Sequence, residues 1–395
     1  MAESLPENAD VVVVGGGIIG VTTAVALAQA GLKPVLLEAR AFGGAVTGGS
    51  LAAISNHMHG MVEYDLLAWS AEAWRHLSAS LDNPFEYNLC GQIGFILSDE
   101  LVETGEDWVR QERARGARSE LVSPQRAAEL EPRLTGSLRA ATWAPDTATV
   151  NPFLAVRALL AFARQKGALA FDRQPVCEVV VRDGRLAGVR TAEGSLLRTD
   201  AVVLACGPWT AGLARAVGVD LPLLPRQAQC LASTRQPAGT MRRVISACES
   251  AGGVESGYTQ IQQSASGQIL FNTVTAPVRA PEGAQDSIHE VPPGFVVDSI
   301  DTLATLFPSL ARVHLLRSWV RFEAVSPDAR FLAGELPVKG LYVCAGDNGS
   351  GFCRAPMLGQ HITQLVAGGS ALPENLAEEA TRLYDPLRFE EATAA

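Results

Sequence analysis

The chain has almost no lysine. Lys33, Lys166 and Lys339 are the three it contains, so nearly all its positive charge is arginine. A buried ammonium whose pKa is easily tuned is therefore scarce wherever a site would call for one. Cysteine is sparse as well: Cys90, Cys177, Cys206, Cys230, Cys248, Cys344 and Cys353 lie far apart with no C-x-x-C pair. That spacing argues against a zinc site or a local iron–sulfur cradle and reads as reduced, mostly buried thiols, with no metal. No stretch approaches the roughly 20 apolar residues of a membrane span. Met1 to Ala9 is polar and acidic, without the basic end and apolar stretch that export requires, so a cytoplasmic protein with no membrane span is expected. An excess of positive charge is also missing. The 32 basic and 42 acidic residues give a net charge of -10, which opposes attraction to nucleic acid or anionic lipid. Repeats and low-complexity linkers are absent, and 395 residues are enough for two domains with a large core.

Glycine, by contrast, is placed with a pattern. The run Asp10 to Val14 meets Gly15, Gly16, Gly17 and Gly20, an apolar helix follows, and a second short strand stops at Glu38. Gly15 permits a tight strand-to-helix turn, Gly17 lets backbone come close to a pyrophosphate, and Gly20 lets helix pack on strand. The helix N-terminus offers unpaired N–H groups to the phosphates. Glu38, about 20 residues downstream, is placed to accept from ribose hydroxyls. The arrangement predicts an adenine dinucleotide. A Rossmann-type fold binding NAD is the alternative to one binding FAD, and the later strand–glycine loops oppose it.

Further along, Gly43 to Ser55 is a small-residue loop that suits either close approach to a cofactor or an ordinary surface position. Asn151 and Pro152 read as the cap and first turn of a helix that Gly167 closes. Three strands near Val176 to Val181, Leu186 to Thr191 and Ser195 to Arg198, punctuated by Asp183-Gly184 and Glu193-Gly194, predict a meander. Ala201 to Cys206 is a continuous apolar strand ending in Gly207, Pro208 and Trp209, as a central parallel strand beneath a ligand would. Leu341 to Gly346 is another, followed by a glycine loop and a helix from about Ala355 to Val366. If that helix aims its N-terminus at the redox ring, its dipole stabilises the negative charge of reduction. The fold class is α/β with an α+β insert: a doubly wound Rossmann-type domain (1–85, 145–225 and 325–395) and an antiparallel-sheet substrate domain (86–144 and 226–324). The insert is expected to carry a hairpin from Tyr258 to Val274 and a short helix opened by Ser123 and Pro124.

The segments DVVVVGGGIIG (10–20), GGAVTGGSLA (43–52), ATVNP (148–152), DAVVLACGPWT (200–210), RSWVRFEAVSPDA (317–329) and YVCAGDNGSGFCRAPMLG (342–359) resemble the D-amino-acid-oxidase-like family of FAD enzymes over nearly the whole chain. That family includes the glycine and sarcosine oxidases. Within it the likeness leans to the flavin-bearing beta subunits of opine oxidases and hydroxyproline dehydrogenases and to the C subunit of hydrogen cyanide synthase. The resemblance implies FAD, with Gly15, Gly17, Ile18, Ile19, Gly20, Glu38, Ala39 and Arg40 about its adenine half. Gly44, Thr47, Ser50 and Leu51 and the loop Gly346, Asp347, Asn348, Gly349, Ser350, Gly351 and Phe352 would meet the isoalloxazine. Val176, Cys206, Gly207 and Trp209 complete the expected set. The implied reaction oxidises a C–N bond of an amine, amino acid, imino acid or opine: a hydride leaves the carbon beside an uncharged amine for flavin N5, and water hydrolyses the imine. Partner subunits or a separate electron acceptor are part of the same implication.

The sequence departs from the family where the substrate carboxylate is usually held. A W-x-G-L-R-P segment becomes Trp319-Val320-Arg321-Phe322-Glu323-Ala324, and a second family arginine aligns with Gly349. Arg321 and Arg354 are nearby substitutes, and Glu323 suggests a cationic or secondary amine as its partner. The candidate catalytic residues are Glu323, Arg321, Tyr258 and Asn348. With no lysine suited to sit over a flavin, a dehydrogenase is favoured over an oxidase. A non-catalytic, electron-relay flavoprotein subunit is the alternative. His57, His59 and Cys353 each carry two readings: flavin attachment or reactive thiol, and ordinary packing.

Overall fold

Four consecutive valines, Val11–Val14, leave no polar face for water, so the strand they form must be covered on both sides. In the computed structural model, which describes residues 4–135, 137–248, 259–273, 278–281 and 283–389, all four are buried. They sit inside a six-stranded sheet ordered Leu332–Glu335, Leu341–Ala345, Val202–Leu204, Val11–Val14, Pro34–Leu37, Leu169–Phe171. All its pairs are parallel except the first. The three glycine-tipped strands are thus immediate neighbours, and their carboxyl ends open on one side of the sheet.

Two helices pack on that sheet and on each other. Ile18–Gln29 follows the first strand and ends before Gly31, whose φ of +90° a side chain would resist. The other, Gly351–Ala367, comes close because Gly359 has no side chain; a Cβ there would lie 2.7 Å from the Thr22 carbonyl oxygen. Thr22 Oγ1 donates to the Ala355 carbonyl at 2.8 Å across the contact. Asn151 caps the helix Pro152–Gln165 as expected, its Oδ1 accepting from Phe153 and Leu154 N–H. Ser123 likewise opens Pro124–Leu130. The meander is a separate sheet, Val176–Arg182, Arg185–Thr191 and Leu196–Leu197. Its first turn puts Asp183 and Gly184 both at positive φ, the conformation that a two-residue hairpin turn takes.

The last long helix begins at Gly351, four residues before the position read from the sequence, and so contains Pro356. Proline has no N–H for the Phe352 carbonyl, a defect that breaks most helices. Here Trp74 Nε1 donates to that carbonyl at 3.0 Å. Ser70 Oγ donates to the Cys353 carbonyl at 2.7 Å and accepts from Met357 N–H at 3.3 Å. Two side chains of the helix Tyr64–Ser80 therefore replace the lost ladder bonds.

A second large sheet holds nine described strands. It runs from Val278–Arg279 through Leu224–Ser233, Ile269–Thr273, Thr259–Gln263, Val244–Ala247, Gln92–Ile96 and Ala140–Ala144 to Glu120–Val122, with Leu315–Val325 paired along Leu224–Ser233. It is antiparallel apart from one parallel pair, Val244–Ala247 beside Gln92–Ile96. The expected hairpin is present over Thr259–Gln263 and Ile269–Thr273, while its ends, Tyr258 and Val274, lie outside the described residues. Among the described residues no helix is long and apolar enough to cross a membrane.

Candidate cofactor and substrate cleft

The glycine turn is built as its spacing requires. Gly15 has a φ of +110°, and a Cβ on it would sit 2.4 Å from the Ala205 carbonyl oxygen on the neighbouring strand. A Cβ on Gly20 would stand 1.9 Å from the Gly15 oxygen, so no side chain fits there. Glu38 closes the turn from the next strand: Oε2 accepts from Gly16 N–H and Oε1 from Arg40 N–H, both at 2.7 Å. The carboxylate is held rigid before any ligand arrives.

From this turn a cleft of about 450 Å³ runs along the carboxyl ends of the three strands. At one end Glu38, Ala39, Arg40 and Val176 line it, with Cys206, Gly207 and Trp209 from the second glycine-tipped strand beside them. Gly15, Gly17, Ile18 and Ile19 form its middle, facing Gly44, Thr47 and Ser50. The far end is walled by Asp347, Gly349, Gly351 and Phe352 and by Arg321 and Glu323. The glycine floor of the cleft, the oriented carboxylate and the two helix N-termini suit a dinucleotide with a ring at the Phe352 end.

Gly20 packs helix on strand, as its spacing predicts, and four other residues read from the sequence do other work. Leu51 is buried, and its carbonyl accepts from Gln262 Nε2 at 2.6 Å. Gly346, at φ +86°, turns the chain out of its strand, and Ser350 Oγ donates to the Asp347 carbonyl at 3.2 Å. Asn348, a candidate for catalysis, is a staple instead: Nδ2 donates to the Gly346 carbonyl at 2.6 Å, and Oδ1 accepts from Ser326 N–H at 3.1 Å. Its side chain is consumed in fixing the loop. Tyr258 lies outside the described residues.

Glu323 is at the cleft but does not await a cationic amine. It is 1% exposed, and both oxygens are taken: Arg226 Nη2 donates to Oε2 at 2.6 Å and Arg321 Nη2 to Oε1 at 2.9 Å. Burial pushes this carboxyl up, but the charges of Arg321 and Arg226 outweigh it and hold it below the usual range. Arg226 was not foreseen; it stands 97 residues away in sequence, and no local motif marks it. Arg354 does not reach the cleft: it is buried against Glu63 at 2.7 Å. Asp347 Oδ1 accepts from Ala324 N–H at 3.0 Å, and burial, reinforced by Glu323, pushes its carboxyl up to about 6.

His57 and Cys353 resolve as packing. His57 is buried between Glu112, 2.8 Å from Nδ1, and Thr142, 2.8 Å from Nε2. His59 is exposed, and neither histidine lines the cleft. Burial raises the Cys353 thiol to about 11, and its Sγ donates to the Ser55 carbonyl, so proximity to a helix N-terminus does not make it a thiolate. His361 is buried and donates from Nε2 to the Ala333 carbonyl. Among the described residues no cluster of acidic, histidine or cysteine side chains suits a metal ion.

A family model described as DAO, FAD dependent oxidoreductase, matches residues 10–365. Among curated proteins the chain is 27% identical to 4-methylaminobutanoate oxidase (formaldehyde-forming) of Paenarthrobacter nicotinovorans, over 93% of this chain and 45% of that protein. It is 25% identical to sarcosine oxidase subunit beta of Arthrobacter sp, over 94% and 93% of the two. Its fold superposes on L-proline dehydrogenase from P. horikoshii with a TM-score of 0.87, at 26% identity, covering 98% of this chain and 99% of that one. The chain spans about half the length of several curated relatives, among them dimethylglycine dehydrogenase of Mus musculus, of which it covers 44%.

Proposed function

This chain belongs to the DAO family of FAD-dependent oxidoreductases, and on that premise we propose that it oxidises the carbon–nitrogen bond of an amine, amino acid, imino acid or opine. The single observation behind this reading is the continuous cleft from the Gly15 turn to Arg321, Glu323 and Asp347. It joins a dinucleotide address to a polar pocket at one end. When bound, FAD supplies a two-electron acceptor for the hydride that leaves the substrate carbon. The protein's own contribution is position and charge. The Gly15 turn and Glu38 would hold the adenosine half, Gly351 and Phe352 would direct a helix N-terminus at the other, and the loop stapled by Asn348 keeps that helix start in place. Asp347 and Arg321 line the end where the carbon beside an uncharged amine would give up its hydride, the resulting imine then being hydrolysed by water.

The relatives named 4-methylaminobutanoate oxidase, sarcosine oxidase and L-proline dehydrogenase favour secondary amines as the substrate class. Sarcosine oxidase subunit beta also supports a place for this chain as the flavin-bearing, catalytic member of a larger assembly. The rival reading, a relay subunit without chemistry, draws its weight from missing substrate arginines, and against it Arg321 lines the end of the cleft beside Glu323. Among the described residues no lysine lines the cleft, which favours an acceptor other than oxygen. We also propose that 1–85, 145–225 and 325–395 form the FAD-binding part and 86–144 with 226–324 the part that covers its reactive end.

The test is an anaerobic screen of the FAD-loaded chain against glycine, sarcosine, proline and opines. Bleaching of the flavin absorbance by at least one is the expected outcome. A flavin that no amine bleaches would leave the relay reading standing. Admission of air then reports the acceptor, since prompt reoxidation with peroxide release contradicts the dehydrogenase.

A further inference from the structure

Two residues other than glycine hold left-handed backbone beside the ring end of the cleft. Asn348, at a φ of +46°, belongs to the loop whose Asp347, Gly349 and Gly351 wall that end, and Ala329, at +58°, belongs to the turn that follows the strand Leu315–Val325. A side chain resists this conformation, so each residue needs support from outside itself. For Asn348 the support is the end of that strand. Ala324 N–H donates to Asp347 Oδ1 at 3.0 Å, Asn348 N–H to the Ala324 carbonyl at 3.0 Å, and Ser326 N–H to Asn348 Oδ1 at 3.1 Å. The loop is zipped to residues 324–326.

The turn is tied in its own place by Asp328. Its Oδ1 accepts from Arg330 N–H at 3.2 Å and lies 3.2 Å from Ser326 Oγ, which donates to the Arg330 carbonyl at 2.6 Å. Arg388, from the segment after the helix Glu374–Tyr384, then takes that carboxylate with two prongs: Nε donates to Oδ2 at 2.9 Å and Nη2 to Oδ1 at 2.8 Å. Arg388 Nη1 donates to the Asp385 carbonyl at 2.7 Å, which fixes the fork to its own segment. Burial pushes the Asp328 carboxyl up, but Arg388 outweighs it and holds it below the usual range, so the pair is ionic at neutral pH. Hydrogen bonds thus run from Arg388 through Asp328, Ser326 and Asn348 to the cleft wall, although Arg388, Asp328 and Ser326 do not line the cleft themselves. We propose that Asp328 and Arg388 are positioning residues for the flavin, their ion pair being a strut that holds the ring-end loop in its binding conformation from outside the cleft. The inference rests on FAD as the occupant of the cleft and not on which amine is oxidised. Without the strut the loop spreads over other conformations, and the apparent affinity for FAD falls with the fraction that remains competent. The adenosine end is built by the Gly15 turn and Glu38, which the strut does not touch.

The experiment is equilibrium dialysis of the apoprotein against FAD and, separately, against ADP, which carries the adenosine diphosphate half without the ring. Arg388→Gln and Asp328→Asn should each weaken FAD by at least about fivefold and leave ADP within about twofold of wild type. The double variant should bind FAD within about twofold of the weaker single variant, because both substitutions remove one contact. Loss of a purely structural residue would weaken FAD and ADP together and leave their ratio unmoved. An FAD affinity indifferent to both substitutions, an unmoved FAD-to-ADP ratio, or a double variant whose loss is the product of the single losses overturns the proposal. Should Arg388→Gln fail to fold, Arg388→Lys decides by the same ratio, since it keeps the charge and gives up the two-pronged grip. A wild type that does not bind FAD sinks the reading of the cleft and the strut with it, whereas FAD bound equally by every variant sinks the strut alone. Turnover plays no part in the readout, so the strut can stand where no amine is oxidised and can fall where one is.

Discussion

Asp347 carries the clearest pH signature at the scale of single residues. Its folded-state carboxyl is raised from 3.8 to about 6, by burial first and by Glu323 second. The folded protein therefore keeps a proton that the unfolded chain has released, and this contribution, complete below the unfolded value, is lost as pH rises through about 6. Denaturant unfolding of wild type and Asp347→Asn at about pH 4 and about pH 7 should show wild type losing up to about 3 kcal/mol relative to the variant on going to neutral pH. Equal pH dependence in the two proteins would remove Asp347 as the titrating group. Thiol chemistry should separate just as cleanly. Cys177 is exposed, while Cys353 is buried with its thiol raised to about 11. A thiol-alkylating reagent should label Cys177 in the native protein and reach Cys353 only after denaturation, as peptide mass mapping would report. Residue type alone told little here. Asn348 and Cys353 sit in a glycine loop and at a helix start, positions suited to chemistry, and only their hydrogen bonds reveal a staple and a packed thiol.

The helix Gly351–Ala367 shows how an element can depend on its neighbour. Pro356 removes one ladder bond, and Trp74 and Ser70 of Tyr64–Ser80 replace what it disrupts. Ser70→Ala leaves the Met357 N–H and the Cys353 carbonyl poorly satisfied in a buried place, and should cost about 1–3 kcal/mol in chemical denaturation. A loss no larger than that of a surface serine would mean the helix closes its own gap. Gly20→Ala belongs at the same scale. Its Cβ would stand 1.9 Å from the Gly15 oxygen, so the first helix must move off its strand. The variant should lose flavin on gel filtration, whereas a yellow, stable Gly20→Ala would mean that the turn tolerates what the geometry forbids. The sequence marked the start of the first helix, because glycine acts locally. The start of the last helix was misplaced because its support comes from a side chain 278 residues away.

For the molecule as a whole, the dinucleotide cleft lies between strands from the beginning, middle and end of the chain, so a bound FAD ties all three together. Ligand that binds only the folded state stabilises it by mass action. FAD at about a hundredfold its Kd should add about 2.7 kcal/mol to the apoprotein, read as a rise in Tm in thermal unfolding. An unshifted Tm, with no flavin bound, would remove the cleft's assignment. The doubly wound sheet, the glycine turn and Glu38 were determined by sequence alone, since hydrophobic runs and glycines at fixed offsets express constraints that act over a few residues. The trio of Arg226, Arg321 and Glu323 at the substrate end was decided by tertiary structure. Glu323 read in isolation is an acid facing an amine, and only the pairing of Leu224–Ser233 with Leu315–Val325 sets Arg226 opposite it, so that the carboxylate is already paired. Charge at a point in space is a sum over neighbours, and strand register, not sequence proximity, chooses those neighbours.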